Sequence, residues 1–153
     1  MMELLAFGDT GWGDELLLSM VMTILVSTSS LAFGLIIGTI FASFKLSNSY
    51  ILKAIAEFYT TVVRGVPELL VIYLLFFGGS GAVMYVAKIF GHMGYIELSP
   101  FTIGTIAVGA ISGAYSTEVI RGAILAVPKG QFEAAQTLGM AKYAMSFKII
   151  FPQ

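Results

Sequence analysis

The stretch from residue 16 to residue 44 reads LLLSMVMTILVSTSSLAFGLIIGTIFASF and contains no Asp, Glu, Lys, Arg or His. About 20 helical residues cross the hydrocarbon core of a bilayer, so this run is long enough to span a membrane. Two further uncharged runs follow, at 69–87 and at 98–117, and each has the length that one crossing needs. Adjusted to the neighbouring prolines, Pro67, Pro100 and Pro128, the three runs predict transmembrane spans at about 16–44, 67–87 and 100–126.

The composition supports a membrane protein. The chain of 153 residues is 58% hydrophobic and 11% charged, with a mean hydropathy of +0.91. Soluble domains carry about 25% charged residues, more than twice this share. The net charge of −1 excludes a strongly basic nucleic-acid-binding surface. With no cysteine and a single histidine, His92, the sequence offers no Cys/His cluster for a metal. We therefore predict an all-α membrane protein without a metal or other cofactor.

The distribution of basic residues predicts the orientation in the membrane. The segment before the first span has no Lys or Arg, and the connection between the second and third spans has only Lys88. Seven basic residues follow the first span or lie at and beyond the end of the third: Lys45, Lys53, Arg64, Arg121, Lys129, Lys142 and Lys148. Because basic residues are enriched on the cytoplasmic side, the N-terminus is predicted outside and the C-terminus inside.

Prolines and glycines predict where the helices begin and end. Ser99 before Pro100 is typical of an N-cap followed by proline at the first helical position. Gly65 and Pro67 predict a break between a short cytoplasmic-side helix over 51–63 and the second span, with Pro67 as the first residue of that span. Residues 79–99 contain four glycines. They predict an external connection, within which residues 84–89 form a short interfacial helix.

Two glycine pairs indicate close helix packing. Gly34 and Gly38 lie one turn apart in the first span, and Gly109 and Gly113 do so in the third. Small residues four positions apart let two helix backbones approach closely in lipid. The pattern fits packing within the chain or between subunits. We expect the first, because it is the more common use.

The segment after the third span predicts two short helices. After Gly130 the chain reads QFEAAQTLGM over 131–140. This pattern predicts a helix with Glu133 in its first turn, ended by Gly139 in a left-handed conformation. A second amphipathic segment over 141–151 is predicted to stop at Pro152.

One face of the first of these helices is apolar. Phe132, Ala135 and Leu138 recur every three positions, so they form a small ridge on one side of a helix. An exposed ridge of this kind fits a groove in a partner protein. The alternative is an amphipathic linker that lies on the lipid headgroups.

The same segment resembles a known motif at six positions: Glu133, Ala134, Ala135, Gly139, Ile149 and Pro152. Their spacing resembles the EAA loop of ABC-importer permeases. In that family the loop forms a coupling helix that seats in a cleft of the ATP-binding subunit. The resemblance therefore implies that these six residues, within a coupling loop over 130–152, contact an ATPase.

Two other segments resemble the polar amino-acid uptake branch of that family. Arg64-Gly65-Val66-Pro67 is similar to its R-G-[TV]-P signature ahead of the second span. Residues 113–123, GAYSTEVIRGA, are similar to its third-span pattern. Together these segments resemble the histidine, lysine–arginine–ornithine and octopine/nopaline permeases.

The resemblance implies an architecture and a function. Family members have five spans with the N-terminus outside, so residues 1–153 are expected to form one permease domain that is C-terminally incomplete. The implied function is that of the permease subunit of an ATP-driven importer for polar, basic amino acids or opines in the bacterial inner membrane. The implied partners are two copies of an ATP-binding subunit, a second permease chain that is identical or homologous, and an external amino-acid-binding protein. The sequence lacks a G-x-x-x-x-G-K-[ST] phosphate-binding motif, so the chain is expected not to be an enzyme and ATP hydrolysis to occur on a separate chain.

Ionisable residues in the spans are candidates for the substrate pathway. Glu118 and Arg121 lie three apart in the third span, where they can form a structural ion pair. Alternatively, Glu118 faces the pathway together with Tyr115 and Ser112 and receives a cationic amino or guanidinium group. Both interpretations remain open from the sequence.

A second candidate lies at the break before the second span. Glu68 follows Pro67 directly, and Arg64 and Gly65 precede it. A break of this kind exposes backbone groups that a substrate can contact. We rank Glu68 below Glu118 as the carboxylate that meets a cationic substrate.

Two other functions are compatible with part of the sequence. A secondary transporter or channel fragment would use Glu118 and Glu68 to relay protons or ions. A small structural membrane protein would use its tail only to recruit a partner. The coupling loop favours the importer, because a proton-driven carrier has no use for it.

Overall fold

The computed structural model describes residues 6–8, 11–91, 94, 99–150 and 152, apart from the side chains of residues 80, 142 and 150. His92 and the chain end at Gln153 lie outside the described residues. The helices are α1 (Gly13–Leu46), α2 (Tyr50–Gly65), α3 (Glu68–Ile89), α4 (Pro100–Ala126), α5 (Lys129–Thr137) and α6 (Lys142–Met145), and a π-helical turn over Ser146–Ile150 follows α6. No β-strand occurs among the described residues, so the all-α prediction is confirmed.

The core of the fold is the contact between α1 and α4, which approach through glycines. A Cβ on Gly34 would lie 2.8 Å from the Ser112 Cβ, and a Cβ on Gly38 would lie 2.6 Å from the Ser116 Cβ. Real Cβ atoms essentially never come within 3.0 Å of another heavy atom in this way. Only glycine therefore allows the two backbones to lie so close.

The glycines of α4 are covered in the same way. A Cβ on Gly109 would lie 2.6 Å from Cδ1 of Phe33, and one on Gly113 would lie 2.9 Å from Cγ2 of Ile37. Both covering residues belong to α1. The expectation that the glycine pairs face helices of the same chain is confirmed.

α2 is attached to this helix pair through Tyr59. The Tyr59 hydroxyl donates a hydrogen bond of 2.5 Å to the backbone carbonyl of Ala110 in α4. The centroid of its ring lies 4.4 Å from that of Phe41 in α1. The predicted short helix over 51–63 is confirmed, and the structure extends it to residue 50 at one end and to residue 65 at the other.

The chain breaks between α2 and α3, as predicted. α2 and the first part of α3, Glu68–Gly79, meet at an angle of 108°. The carbonyl of Pro67 accepts hydrogen bonds from the backbone N–H of Leu70 at 2.9 Å and of Val71 at 3.2 Å. Pro67 is thus the residue just before α3, and the prediction that it is the first helical residue was wrong by one position.

α3 matches the bounds predicted for the second span, 67–87, to within two residues, but it also contains part of the predicted external connection. It continues to Ile89, so residues 79–89 are part of this helix and the predicted external connection at 79–99 is wrong for that part. Gly79 and Gly81 lie inside the helix, where membrane proteins tolerate glycine more readily than soluble proteins do. Gly91, with a φ of +83°, marks the turn that follows.

The boundaries of α4 match the prediction. Ser99 Oγ accepts a hydrogen bond of 3.2 Å from the backbone N–H of Thr102, and Pro100 is the first helical residue. The helix ends at Ala126, before Val127 and Pro128. The predicted span over 100–126 coincides with α4.

Two helices of the described residues, α1 and α4, are long and apolar enough to cross a membrane. The bent pair of α2 with Glu68–Gly79 gives a third if the two helices together form one span. The structure is therefore compatible with two or three spans. The number of spans, their predicted bounds and the orientation stay predictions.

Candidate functional site

The segment after α4 folds into a helix that ends at Gly139. The backbone N–H of Gly139 donates to the carbonyl of Gln136 at 3.0 Å, and that of Met140 donates to the carbonyl of Ala135 at 3.0 Å. These two bonds and a φ of +68° at Gly139 define a Schellman C-cap, which satisfies carbonyls at the end of α5. The predicted left-handed conformation of Gly139 is confirmed.

α5 begins earlier than predicted. It starts at Lys129, directly after Pro128, so Glu133 is its fifth residue and does not lie in the first turn. No side-chain cap bond is present at this N-terminus. The prediction that Glu133 lies in the first turn is therefore wrong, because the helix already begins directly after Pro128.

The apolar ridge predicted on α5 is split between two faces. Ala135 is buried, with 1% of its surface exposed, and Phe132 is half-buried, whereas Leu138 is 79% exposed. The exposed residues of α5 include Gly130, Glu133, Ala134 and Thr137, which are spaced three and four apart, together with Lys129 and Gln136. Of the residues of the EAA-like motif on α5, Glu133 and Ala134 thus point outwards, and Ala135 anchors the helix to the rest of the chain.

The remaining motif residues lie on the segment after α5. α6 and the π-helical turn form one helical stretch from residue 142 to residue 150, in which the ring centroids of Tyr143 and Phe147 lie 4.6 Å apart. Met145 is buried and Ile149 is half-buried. Pro152 is exposed in a turn after this stretch, as the sequence predicts.

Glu118 lies at the centre of a group of charges that we call the inner charge cluster, formed by Lys45, Glu57, Glu118 and Arg121. Lys45 Nζ donates to Glu118 Oε1 and lies 3.0 Å from Glu57 Oε2. Arg121 Nε donates to Glu118 Oε2 at 3.0 Å. The cluster connects the end of α1 to α2 and α4.

The inner charge cluster is partly shielded from solvent. The side chain of Lys45 is 6% exposed and that of Glu118 is 20% exposed, whereas that of Glu57 is 69% exposed. At its edge, Arg64 Nη1 lies 3.9 Å from Glu118 Oε1. Glu118 is therefore surrounded by positive side chains from three helices, which is the arrangement of a structural ion pair.

A second group, the break group, consists of Arg64, Glu68 and Tyr115 and lies where α2 ends and α3 begins. The Tyr115 hydroxyl donates a hydrogen bond of 2.9 Å to Glu68 Oε1. The Arg64 guanidinium carbon lies 5.4 Å from the centroid of the Tyr115 ring, within range of a cation–π interaction. Arg64 also lies at the edge of the inner charge cluster, since its Nη1 is 3.9 Å from Glu118 Oε1.

The structure separates the residues that the sequence placed on one substrate-facing side of α4. Ser112 packs against Gly34 of α1, whereas Tyr115 faces Glu68 and Glu118 faces Lys45. A step of three residues turns a helix by about 300°, so over two steps the side chains diverge. A Cβ on Gly65 would meet no described atom within 4 Å, and Pro67 lies at the break itself.

Lys45 and Glu57 were not predicted as members of a site. A lysine in the last turn of α1 and a glutamate in α2 are common surface residues. The available signal was the position of Lys45 directly after the first uncharged run, because an ionisable side chain at the end of a membrane helix usually pairs with another group. Which carboxylate it meets depends on how three helices pack, and spacing along the chain does not give that.

Comparison with known proteins identifies the family. Residues 34–153 match the family described as binding-protein-dependent transport system inner membrane component. The chain is 48% identical to the nopaline transport system permease protein of Agrobacterium fabrum, over 99% of this chain and 65% of that protein. It is 39% identical to the histidine/lysine/arginine/ornithine transport system permease protein of Escherichia coli, over 93% of this chain and 62% of that protein.

A solved structure agrees. The fold matches the crystal structure of an amino acid ABC transporter with histidines, with a TM-score of 0.67 and 32% sequence identity, over 87% of this chain and 56% of that one. The chain thus spans less than two thirds of the length of each of these relatives. The resemblance to ABC-importer permeases is confirmed, and the chain belongs to the binding-protein-dependent transport system inner membrane components.

Proposed function

We propose that this chain is part of the permease subunit of an ATP-driven importer for basic amino acids or opines, in a bacterial inner membrane with its N-terminus outside. The relatives that support this are permeases of nopaline and of histidine, lysine, arginine and ornithine transport systems. The apolar helices α1 and α4 and the family's inner-membrane description support the location.

The observation that carries the proposal is the form of α5. It is a short helix with a Schellman end and an exposed face that includes Glu133, Ala134 and Leu138. A short, well-terminated helix with one exposed side is suited to insertion into a groove of a partner protein. In this proposal the partner is a separate ATP-binding chain, present in two copies, and α5 transmits its movement to the membrane helices.

The remaining partners follow from the same function. Two permease chains, identical or homologous, would enclose the pathway, and an external amino-acid-binding protein would deliver the substrate. This chain would catalyse no reaction itself. The residues assigned to coupling are Glu133, Ala134, Ala135, Gly139, Ile149 and Pro152.

The test substitutes Gly139, because a side chain at this position would act on the backbone conformation without clashing with neighbouring atoms. A Cβ at this position would meet no described atom within 4 Å, so a substitution acts through the φ of +68°. A β-branched residue is strongly disfavoured at such a φ, whereas asparagine tolerates it. Gly139→Val is expected to reduce ATP-dependent uptake at least tenfold in proteoliposomes, and Gly139→Asn is the control that keeps most of it.

The amounts of both variants in the membrane should equal that of the unchanged protein. Binding of the ATP-binding chain, measured by co-purification, should fall with Gly139→Val and persist with Gly139→Asn. If both variants bind that chain and transport equally well, α5 is not the coupling element.

The contacts of the two carboxylates refine the substrate assignment. Glu118 is already paired with Lys45 and Arg121, whereas Glu68 accepts a hydrogen bond from a neutral tyrosine hydroxyl. A cationic amino or guanidinium group gains most from a carboxylate that no side chain has neutralised. We therefore rank Glu68 above Glu118 for substrate contact, the reverse of the order that the sequence suggested.

The relay function remains the alternative. Arg64 and Tyr115 lie between Glu68 and Glu118, so an ion or proton relay would have these groups available. An importer driven by ATP is expected to be indifferent to a proton gradient across the membrane. Uptake that follows the gradient and needs no ATP-binding chain would establish the alternative.

A further inference from the structure

A pocket of about 290 Å³ adjoins the inner charge cluster. Its walls are formed by five charged side chains: Lys45, Lys53, Glu57, Glu118 and Arg121. Three of these are positive and two are negative, and Arg64 at the edge of the cluster adds a fourth positive charge. The pocket therefore carries an excess of positive charge after both carboxylates have been paired.

Two of the cations keep donors available for a further partner. The side chain of Lys53 is exposed and makes no ion pair or hydrogen bond with any residue that the structure describes. Arg121 uses Nε for Glu118, and its two terminal nitrogens make no hydrogen bond within the described part of the chain. A guanidinium with free terminal nitrogens and a nearby ammonium together suit the oxygens of a phosphate group.

The helix that supplies Lys53 also carries an apolar surface. Ile51, Ile55, Phe58 and Val62 are all exposed and recur at spacings of four, three and four, so they form one stripe along α2. Lys53 and Glu57 lie on a different side of the same helix. A helix with an apolar stripe and basic residues on another side is typical of the boundary between lipid headgroups and acyl chains.

We propose that this pocket binds the phosphate of an anionic phospholipid, with the acyl chains lying along the α2 stripe. The positive excess selects an anion, and the stripe supplies the contact that a free phosphate would not use. Basic pockets between membrane helices on the cytoplasmic side are a known way to bind such headgroups. None of the five side chains that form the pocket walls belongs to the break group, and the site does not depend on the proposed transport function.

The test measures lipid retained by the purified full-length protein. The protein is exchanged into detergent with equal amounts of phosphatidylglycerol and phosphatidylcholine, and bound lipids are counted by native mass spectrometry. The unchanged protein should retain phosphatidylglycerol in preference to phosphatidylcholine. Lys53→Gln should lower this preference about fivefold, the effect of one basic residue at an anionic membrane surface.

Two control variants locate the effect. Lys88→Gln removes an exposed lysine in the last turn of α3, away from the pocket, and should leave the preference unchanged. Lys53→Arg keeps the positive charge and should retain the preference for phosphatidylglycerol. If Lys53→Gln retains as much phosphatidylglycerol as the unchanged protein, the pocket is not a lipid site.

A second arm distinguishes a lipid from free phosphate. Inorganic phosphate is added to protein in neutral detergent without anionic lipid, and the melting temperature is recorded. Phosphatidylglycerol should raise the melting temperature in a manner that depends on Lys53, and inorganic phosphate should not. An equal, Lys53-dependent rise with inorganic phosphate alone would assign the pocket to free phosphate and overturn the lipid assignment.

Discussion

Glu118 is a residue of α4 and Glu68 contacts that helix, but the surroundings of the two carboxylates differ. Glu118 receives Lys45 from α1 and Arg121 from its own helix, and Arg64 of α2 lies 3.9 Å away. Glu68, the first residue of α3, is exposed and bonded to the hydroxyl of Tyr115. A charge whose partners come from several helices stabilises their packing, whereas a charge with a neutral partner retains its attraction for a cation. Position along the sequence alone does not separate these two roles.

The largest effect is expected from the lysine of the inner charge cluster. Lys45→Met removes a buried cation that two carboxylates share, and it leaves Glu118 with less compensation. Removing one partner of a buried ion pair costs about 3 kcal/mol of the free energy of unfolding. Melting of the purified protein in detergent would show this loss as a lower transition temperature.

Lys53→Met is the matched control for this substitution. The side chain of Lys53 is exposed and unpaired within the described residues, so the same change should alter the free energy of unfolding by less than about 0.5 kcal/mol. If the two variants melt at the same temperature, the inner charge cluster contributes nothing to stability and the comparison with Glu68 loses its basis.

A smaller effect is expected from coupling between Lys45 and Glu118. Glu118→Gln keeps the shape of the side chain and removes its charge. As a single substitution it should destabilise the protein. In a protein that already carries Lys45→Met, it should add little further destabilisation. The interaction energy from the double-mutant cycle Lys45→Met with Glu118→Gln should be about 1–2 kcal/mol. Strict additivity of the two single changes would show that Lys45 and Glu118 act independently.

The smallest effect on stability, with the most specific effect on transport, is expected at Glu68. Glu68→Gln should change the free energy of unfolding by less than about 0.5 kcal/mol, because the residue is exposed. Under the proposed function, uptake of a cationic substrate such as arginine should nevertheless fall at least tenfold, since the proposed charge-assisted contact with the substrate would be lost.

A neutral substrate supplies the control for Glu68→Gln. Uptake of a neutral amino acid such as glutamine, if the transporter accepts it, should change less than uptake of arginine. Tyr115→Phe, which removes the hydroxyl and keeps the ring beside Arg64, should have an intermediate effect. If arginine uptake is normal in Glu68→Gln and lost in Glu118→Gln at normal protein levels, Glu118 and not Glu68 is the carboxylate that contacts the substrate.

Much of the fold could be predicted because it depends on local chemistry. Runs without charge gave the positions of α1 and α4, and Ser99, Pro100 and Gly139 gave helix ends whose hydrogen bonds form within a few residues. The uncharged run at 69–87 likewise predicted the extent of α3 to within two residues, but the glycines after residue 78 wrongly predicted an external connection there. Gly79 and Gly81 favour turns in water, but within an apolar helix the backbone keeps its own hydrogen bonds because nothing else can supply them.

The candidate site was less predictable, because its contacts join different helices. Glu118 could be paired with Arg121 from their spacing of three, and this pair is present. Its second partner, Lys45, lies 73 positions away in the chain, and it meets Glu118 only because the glycines of α1 and α4 bring the two helices together. Likewise, Ser112 turned towards α1 because Gly34 leaves room for it there.

The glycine contact between α1 and α4 has a mechanical consequence. With Ser112 against Gly34 and Ser116 against Gly38, the serines of one helix sit in successive notches of the other, one turn apart. Sliding the helices along each other would bring these serines against larger neighbours until a full helical turn had been passed. Small displacements of α1 along α4 are thus opposed, and the two helices are expected to move together as one rigid unit. The chain changes direction instead at Val66 and Pro67, where the regular backbone hydrogen bonding of the helices is interrupted, so a change in the angle between α2 and α3 is expected to be confined to these two residues.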